Sequence, residues 1–311
     1  MKVLRGSHRA WDVGVASLAV TIGVYDGVHL GHMAVFEALR RPADALPIGV
    51  ITFARHPAVL LAPDRVPPLL TSLDQKLEAL EAAGVDVVGV LDFDEEIASL
   101  SGEAFIKDVV SGAMSASLVV VGRNFRFGYQ RKGDLVLLER LGTRLGFETV
   151  GLDLRGSAGD VVSSSRIRGL VANGDVAGAA ALLGRLFALR GTVVPGDGRG
   201  RTIGVPTANV AVDPEMVRPA RGVYAVRVTI DGEARFGVAN VGVRPTFGES
   251  LEVVVEVHVL DFEDDLYSSV IDVGFVDRIR NEKRFHSADD LVIQIHTDIA
   301  EARGMLTAGH S

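Results

Sequence analysis

The chain contains no cysteine. That excludes disulfides, thiolate zinc sites and a cysteine nucleophile. Any metal must be held by oxygen or imidazole, which favours Mg2+ among divalent ions. No apolar run approaches the ~20 residues that a membrane span needs, and the segment from Met1 to Trp11 lacks the apolar core of a secretory leader. The expected location is the cytoplasm, with no membrane partner. Positive charge is also scarce: 32 Lys and Arg stand against 40 Asp and Glu, a formal net charge of −8. A sequence-independent nucleic-acid binder needs a positive field, so no nucleic-acid partner is expected. An anionic substrate must instead find local clusters of basic groups.

Hydrophobic residues make up 48% of 311 positions, enough to build real cores. At ~150 residues per domain the length suggests two domains. The first half alternates short apolar runs with amphipathic stretches. Leu18–Ile22, Ile48–Phe53, Val85–Leu91 and Leu118–Val121 are short, continuous and rich in β-branched residues, which predicts buried parallel strands. Helical patterns lie between them: His32–Leu39, Leu73–Ala83 ending at Gly84, and a helix after an Asp134 N-cap. Strand and helix in alternation define an α/β domain with a parallel sheet. The second half changes class. Val223–Ile230 and Ala234–Val241 are β-rich and joined through Asp231-Gly232, a strong hairpin signal, with further strands at Leu251–Leu260 and Val270–Val276. This antiparallel pattern predicts a sandwich or a closed barrel. A last helix starts at Ser287 and places Leu291, Ile295 and Ile299 on one face. The change of class falls near Leu183–Arg190, giving domains 1–186 and 187–311.

Three segments of the first half carry chemistry. The stretch from Gly23 to His32 leaves a strand and enters a helix. Gly23 and Gly27 let the backbone turn and approach a ligand closely. A helix N-terminus offers free N–H donors to a phosphate. His29 and His32, three residues apart, place two imidazoles on one side of it, suited to stabilising charge on a transferring phosphoryl group. The plainer account is a Gly-rich turn with two surface histidines; a zinc site lacks a third ligand at metal spacing. Next, Arg123, Arg126, Arg131 and Lys132 gather with Phe125 and Phe127 in one loop, supplying the local basic patch. The alternation of the two phenylalanines is also what strand packing alone would give. Third, Ser163, Ser164 and Ser165 precede Arg166 and Arg168, hydroxyls and guanidinium groups suited to gripping phosphate. Taken alone, this is also a helix N-cap with a solvated basic face.

The second half centres on the stretch from Arg190 to Asn209. It contains no Walker Gly-Lys pair, and β structure rather than a helix follows its glycines, which excludes the P-loop and dinucleotide fingerprints. A glycine loop still wraps phosphates with its N–H groups. Thr207 and Asn209 offer two neutral oxygens on one face of an extended segment, which suits Mg2+ bridging ATP phosphates.

These segments resemble, in order and over nearly the whole chain, the bacterial bifunctional riboflavin kinase/FMN adenylyltransferase (FAD synthase) family. His-x-Gly-His, Thr52-Phe53-x-x-His56-Pro57, Asn124-Phe125-Arg126-Phe127-Gly128 and Ser163-Ser164-Ser165-Arg166-Ile167-Arg168 are similar to its adenylyltransferase module. Pro206-Thr207-Ala208-Asn209, Asn240-x-Gly-x-Arg-Pro-Thr246-Phe247, Glu256-x-His258 and Arg278-x-Arg-x-Glu282-x-x-Phe285 are similar to its riboflavin kinase module. Tyr25 stands where Phe is usual, Arg55 where Pro is frequent, Asn124 for Asp, Ser165 for Thr and Ser268 for Gly.

The resemblance implies a Rossmann-like nucleotidyltransferase domain followed by a six-stranded antiparallel barrel with a terminal helix. It implies ATP-dependent phosphorylation of riboflavin to FMN, then adenylylation of FMN to FAD with release of pyrophosphate, with Mg2+ as cofactor. Substrates would be riboflavin, FMN and ATP. His29, His32, Arg166 and Glu256 would be catalytic, Glu256 as the base for the ribityl 5′-hydroxyl, on a strand facing the barrel mouth. Gly23, Tyr25, Asp26, Gly27, Gly31, Ser163, Ser164, Ser165, Gly198, Gly204, Pro206 and Thr207 would bind ATP. Asn124, Phe125, Arg126, Asp134, Arg278 and Glu282 would bind flavin, and Thr207 with Asn209 the metal. His258 is expected to play a supporting structural part. Rival accounts are an adenylyltransferase for another substrate, a kinase with a degenerate first half, and a flavin carrier without turnover.

Overall fold

The computed structural model describes residues 1–40, 46–153, 162–196, 200, 204–245 and 251–308. Gly198, Thr246 and Phe247 lie outside the described residues. Contacts divide the chain into two compact units: residues 1–67 with 73–163, and residues 68–72 with 164–311.

The first unit is a parallel α/β fold. Its strands are β1 (Lys2–Leu4), β2 (Leu18–Ile22), β3 (Ile48–Phe53), β4 (Val87–Leu91), β5 (Ala116–Gly122) and β6 (Glu148–Leu152), in the order β1-β4-β3-β2-β5-β6. Every pairing is parallel. Its helices are α1 (Leu30–Arg40), α2 (Ala58–Leu61), α3 (Leu73–Ala82), α4 (Glu95–Ser99), α5 (Gly102–Phe105, running into a π-helical stretch Ile106–Ala113) and α6 (Leu135–Leu145). Alternate strand residues feed two cores. Leu18, Val20 and Ile22 pack with Val109, Leu138 and Leu141 on one face, and Ala19, Val50 and Val88 pack with Phe36, Leu39 and Leu80 on the other. A sheet covered on both faces requires strands that are apolar throughout, which is why β2 is buried at all five positions. Asp134 caps α6 by accepting from the Leu137 N–H at 3.0 Å. The short edge strands β1 and β6, and the π-helical stretch, carry no pattern that the sequence reading recognised.

The second unit contains α7 (Ser164–Asn173), α8 (Val176–Leu183) and a closed antiparallel barrel. The barrel strands are β7 (Phe187–Val194), β8 (Ala208–Val212), β9 (Gly222–Ile230), β10 (Glu233–Pro245), β11 (Leu251–Val259) and β12 (Val270–Asn281), in the cyclic order β10-β11-β8-β7-β12-β9. Residues 68–72 join it: the Leu69 N–H donates to the Glu215 carbonyl, and the Val217 N–H to that of Leu69, both at 2.8 Å. The β9–β10 hairpin turns at Asp231 and Gly232, with φ of 50° and 84°, the left-handed pair that a two-residue turn needs. β12 runs on to Asn281, five residues past the expected Val276, and holds register with β9 by two irregularities, at Phe275/Asp277 and Arg278/Arg280.

The terminal helix α9 (Ala288–Ala308) starts under a Ser287 cap whose hydroxyl accepts from the Asp290 N–H. It packs on the outside of the barrel, where Ala302 and Leu306 meet Ala225, Phe236, Val238 and Val276. One buried ion pair fastens it. Asp298, 2% exposed, takes a two-pronged bond from Arg280 at 2.8 and 2.7 Å and a further bond from Gln294. Such a fork leaves a stranded buried charge when one partner is lost. Asp298→Ala is expected to lower unfolding free energy by about 3–5 kcal/mol, read by urea denaturation of the purified chain. An unchanged midpoint would show that the pair does not hold the helix.

Candidate active sites

In the first unit the strand order turns around at β2. α1 and α3 cover one face, and the 97–114 region with α6 covers the other, so the connections after β2 and β5 part to opposite sides. The crevice between their carboxyl ends is where open α/β sheets bind ligands. The basic segment and the start of the histidine segment reach it, while His29 and His32 are not among the lining residues. Residues 22–24 from β2, Phe53 and residues 56–58 from β3, and 124–128 from β5 line a cavity of about 580 Å³, with Phe93, Ile97 and Phe105 completing its apolar wall. Phe53 and Phe93 meet edge to face at 5.5 Å, while Phe125 and Phe127 stack at 5.4 Å. Phe127 belongs to the core and Phe125 is half-buried at the cavity, so packing explains one of the pair and not both. Arg126 and Arg131 bring positive charge to the rim. Gly128 sits at φ 69°, ψ −179°, a region that only glycine occupies readily, and a Cβ there would strike the Gly102 backbone.

The histidine loop is tightly built. Tyr25 and Val28 adopt left-handed φ of 51° and 39°, with Gly27 at 85°, so backbone strain concentrates ahead of α1. The His29 and His32 rings stack at 3.6 Å with 15° between planes. The His29 N–H donates to His32 Nδ1 at 3.2 Å. With Nδ1 an acceptor, neutral His32 carries its proton on Nε2, which is a donor. Tyr25 is buried: its hydroxyl bonds Thr21 at 2.6 Å and its ring supports His32 at 4.8 Å. Its side chain props the His32 ring. Burial also pushes the Tyr25 hydroxyl pKa upward, against the lowering by Thr21. A Cβ on Gly31 would press on the Val162 carbonyl and the His29 ring, so this glycine serves close approach. Asp134 spends one carboxylate oxygen on its helix cap and is not among the cavity-lining residues. Ser163 closes the first unit, whereas Ser164, Ser165 and Arg166 form the first turn of α7 in the second.

In the barrel, register builds the site. Asn209 on β8 pairs with Glu256 on β11, Glu256 with Asn240 on β10, Asn240 with Val223 on β9, and Val223 with Arg280 on β12. Strand neighbours in register share a face, so these side chains form one row. That row lies outside the barrel. Val255 and Val257, on either side of Glu256, are 1% exposed and fill the interior with Val210, Val241 and Tyr224. The two-residue alternation of a strand then sends Glu256 outward. The expectation that it faces the barrel mouth is thereby corrected: it faces a cavity of about 310 Å³ between the outer barrel wall and α9. Thr207, Asn240, His258, Arg280, Glu282 and Phe285 share that cavity. Asn209 stands beside Glu256 in register but lines a neighbouring hollow of about 460 Å³ with Val194, Pro195 and Arg218. His258 Nδ1 donates to the Pro206 carbonyl at 2.7 Å, pinning the loop that presents Thr207. Gly204 has left-handed φ of 77° and starts that loop. Arg278 turns away from the cavity. Its guanidinium lies over the Tyr224 ring at 5.8 Å and bonds the Arg221 carbonyl. Arg280, two residues on, takes the cavity position with its cation held by Asp298 and its face over Phe285 at 5.7 Å.

Sequence reasoning missed Arg280, Asn240 and, in the first unit, Lys76. Asn240 was legible as the register partner that any Glu256 strand would need; Arg280 was hidden by the irregular register of β12. Lys76 lies within the helical pattern Leu73–Ala83, which by itself does not show that it is buried.

An α/β unit with a histidine pair on the loop after β2, in one chain with a closed barrel that carries a carboxylate–amide row, is the class formed by a nucleotidyltransferase and a flavokinase together. The FAD synthetase family model matches residues 15–166 and the riboflavin kinase model residues 183–306. The bifunctional riboflavin kinase/FMN adenylyltransferase of Escherichia coli (strain K12) is 41% identical over 306 residues, 97% of this chain and 97% of that protein. The protein of the same description from Bacillus subtilis (strain 168) is 36% identical over 303 residues, 92% of each. A crystal structure described as a macrolide-efflux protein from Streptococcus pneumoniae matches with a TM-score of 0.87 at 33% identity, over 97% of this chain and 99% of that one. This chain belongs to the bifunctional riboflavin kinase/FMN adenylyltransferase family.

Burial of Lys76 has a thermodynamic signature. Desolvation lowers its pKa from 10.5 to about 8, against the opposing pull of Asp26. Between those values the unfolded chain binds the proton and the folded chain does not, so this residue's contribution to stability rises with pH. At 1.36 kcal/mol per unit the full effect is on the order of 3 kcal/mol. The stability difference between the wild type and Lys76→Met should therefore shift toward the wild type between about pH 8 and 10.5. A pH-independent difference in denaturant titrations would contradict this.

Proposed function

We propose that this chain makes FAD from riboflavin in two ATP-consuming steps, the first in the barrel unit and the second in the α/β unit. The observation that carries the division is the presence of two separately built sites, the Glu256 row and the His29–His32 stack, each in a compact unit of its own. We set the module boundary at 186/187, where β7 opens the barrel, although α7 and α8 group with the barrel by contact.

In the kinase step Glu256 accepts the proton of the ribityl 5′-hydroxyl. That oxygen attacks the γ-phosphorus of ATP, its bond to the β-bridging oxygen breaks, and ADP leaves with FMN formed. Asn209 and Asn240 flank the carboxylate and fix its direction. Glu282 and Arg280 border the same cavity and supply polar contacts to the flavin. Arg278 then acts on flavin only indirectly, through the Arg221 carbonyl that it holds. Gly204, Pro206 and Thr207 present the loop to the ATP phosphates, with Gly198 belonging to the same segment.

Thr207 and Asn209 would hold Mg2+. Hard oxygen donors suit that ion, and the loop glycines close directly on both: a Cβ on Gly200 would come within 3.2 Å of Thr207 Oγ1, and one on Gly196 would collide with the Asn209 amide. When bound, Mg2+ neutralises charge on the ATP phosphates.

In the adenylyl step an FMN phosphate oxygen attacks the α-phosphorus of a second ATP. The bond to the β-phosphate breaks and pyrophosphate leaves, with no protein nucleophile needed. His32 Nε2 and His29 stabilise charge on the phosphates. The N-terminus of α1 and the backbone of Gly23, Tyr25, Asp26, Gly27 and Gly31 cradle ATP. Ser163, the last residue of the same unit, adds a hydroxyl contact. Phe125, Asn124 and Arg126 receive the flavin at the aromatic cavity, and Asp134 fixes their loop. The acidic bulk argues for small anionic substrates over nucleic acid, and the demand for two ATP per FAD argues for the cytoplasm. Among the described residues no helix is long and apolar enough to cross a membrane.

His32→Ala should slow FAD formation by ~10²–10³-fold, the scale of a lost oxyanion donor, and leave FMN formation intact. Glu256→Ala should slow riboflavin phosphorylation by ~10²–10⁴-fold and spare adenylylation of supplied FMN. Loss of both activities from either change in a folded chain would refute the division. Chelation with EDTA should stop riboflavin phosphorylation, and added Mg2+ should restore it; an unaffected rate would remove the metal from the account.

A further inference from the structure

Lys76 is the buried cation that neither step above employs. It lies on the first turns of α3 and is 7% exposed. Its ammonium donates to the Phe53 carbonyl at 2.7 Å and reaches the Val24 carbonyl at 3.4 Å. Thr52 Oγ1 donates to the same Val24 carbonyl at 3.0 Å. Val24 and Phe53 are the residues at which β2 and β3 hand over to the cavity, and both line it. Asp26, 4% exposed, supplies the nearby negative charge. A lysine is costly to bury, and here it is held between two strand ends that need no cation to complete their sheet.

The consequence follows from peptide geometry. The described peptide bonds are all trans, so the Val24 carbonyl and the Tyr25 N–H of one planar unit point in opposite directions. Drawing the carbonyl onto Lys76 and Thr52 turns the Tyr25 N–H away from them. The same constraint sets the entry to the left-handed turn at Tyr25, Gly27 and Val28, on which the stacked histidines stand. We propose that Lys76 is a positioning residue for adenylyl transfer: it fixes the Val24–Tyr25 peptide so that its N–H, and the histidine loop after it, face a phosphate of the nucleoside triphosphate. The effect falls on ATP and on turnover: Lys76 holds Phe53 only by its backbone carbonyl, and the Phe53 ring keeps its place in the cavity wall through its edge-to-face contact with Phe93.

This inference rests on the adenylylation reading of the α/β unit, and the test separates the two. Steady-state FAD formation from FMN and ATP is measured for the full chain, Lys76→Met and Lys76→Arg. Riboflavin phosphorylation is followed in the same preparations. Trp11, the one tryptophan of the chain, packs over Gly89 in the same unit, so its emission reports that the unit remains folded. Lys76→Met is expected to lower kcat by ~10²-fold and to raise the KM for ATP, with the KM for FMN, the kinase rate and Trp11 emission unchanged. Lys76→Arg keeps charge and donors and is expected to recover most of the loss. Unchanged kcat in Lys76→Met, an equal rise in both KM values, Arg no better than Met, or Trp11 emission shifted as in unfolding would each overturn the positioning role. Absence of FAD from the unaltered chain would overturn the adenylylation reading and this inference with it.

Discussion

The pairing of β2 with both β3 and β5 is the constraint on which the first unit depends. β2 is hydrogen-bonded to β3 as far as Ile22 and to β5 as far as Val20, with one register irregularity at Leu18/Ala19, and it is covered on both faces, so core packing fixes where its carboxyl end lies. From that end hang the left-handed turn, the histidine stack and the start of α1. The connections leave β2 and β5 toward opposite faces, and the sheet therefore opens a crevice at the one place where nothing has to be cleared for it. The turn after β2 is anchored by the core and carries backbone strain at Tyr25 and Val28.

The barrel solves the same problem by lateral pairing. Closure removes free edges, and antiparallel register then lines up Asn209, Glu256 and Asn240 on adjacent strands without any loop being involved. The interior is filled with valines and aromatic rings, so the Glu256 row faces outward. α9 converts that outer face into a cavity, and the Arg280–Asp298 fork keeps the helix seated while placing a guanidinium at the floor. Stability and site geometry share one ion pair.

Much of this was legible in the sequence, for physical reasons that differ by element. Buried strands such as Leu18–Ile22 announce themselves because a two-sided core leaves no polar position. Asp134, Gly84 and Ser287 were readable because caps and left-handed ends demand particular residues. The facing of Glu256 was not, since a period of two shows alternation but not which set is inside. Arg278 and Arg280 exchanged places for a related reason: the irregular register of β12 shifts the alternation between them. Lys76 escaped because a buried lysine and a solvated one look alike in a helical pattern; only the carbonyls of residues 24 and 53, distant in sequence, distinguish them.

The central claim is that one chain carries two sites acting in sequence. A chromatographic time course of the purified chain with riboflavin, ATP and Mg2+ tests it most directly. FMN should rise first and then give way to FAD, and supplied FMN should yield FAD with no riboflavin present. FAD appearing from riboflavin without FMN ever accumulating or being usable, or no flavin product from either substrate, would contradict the account.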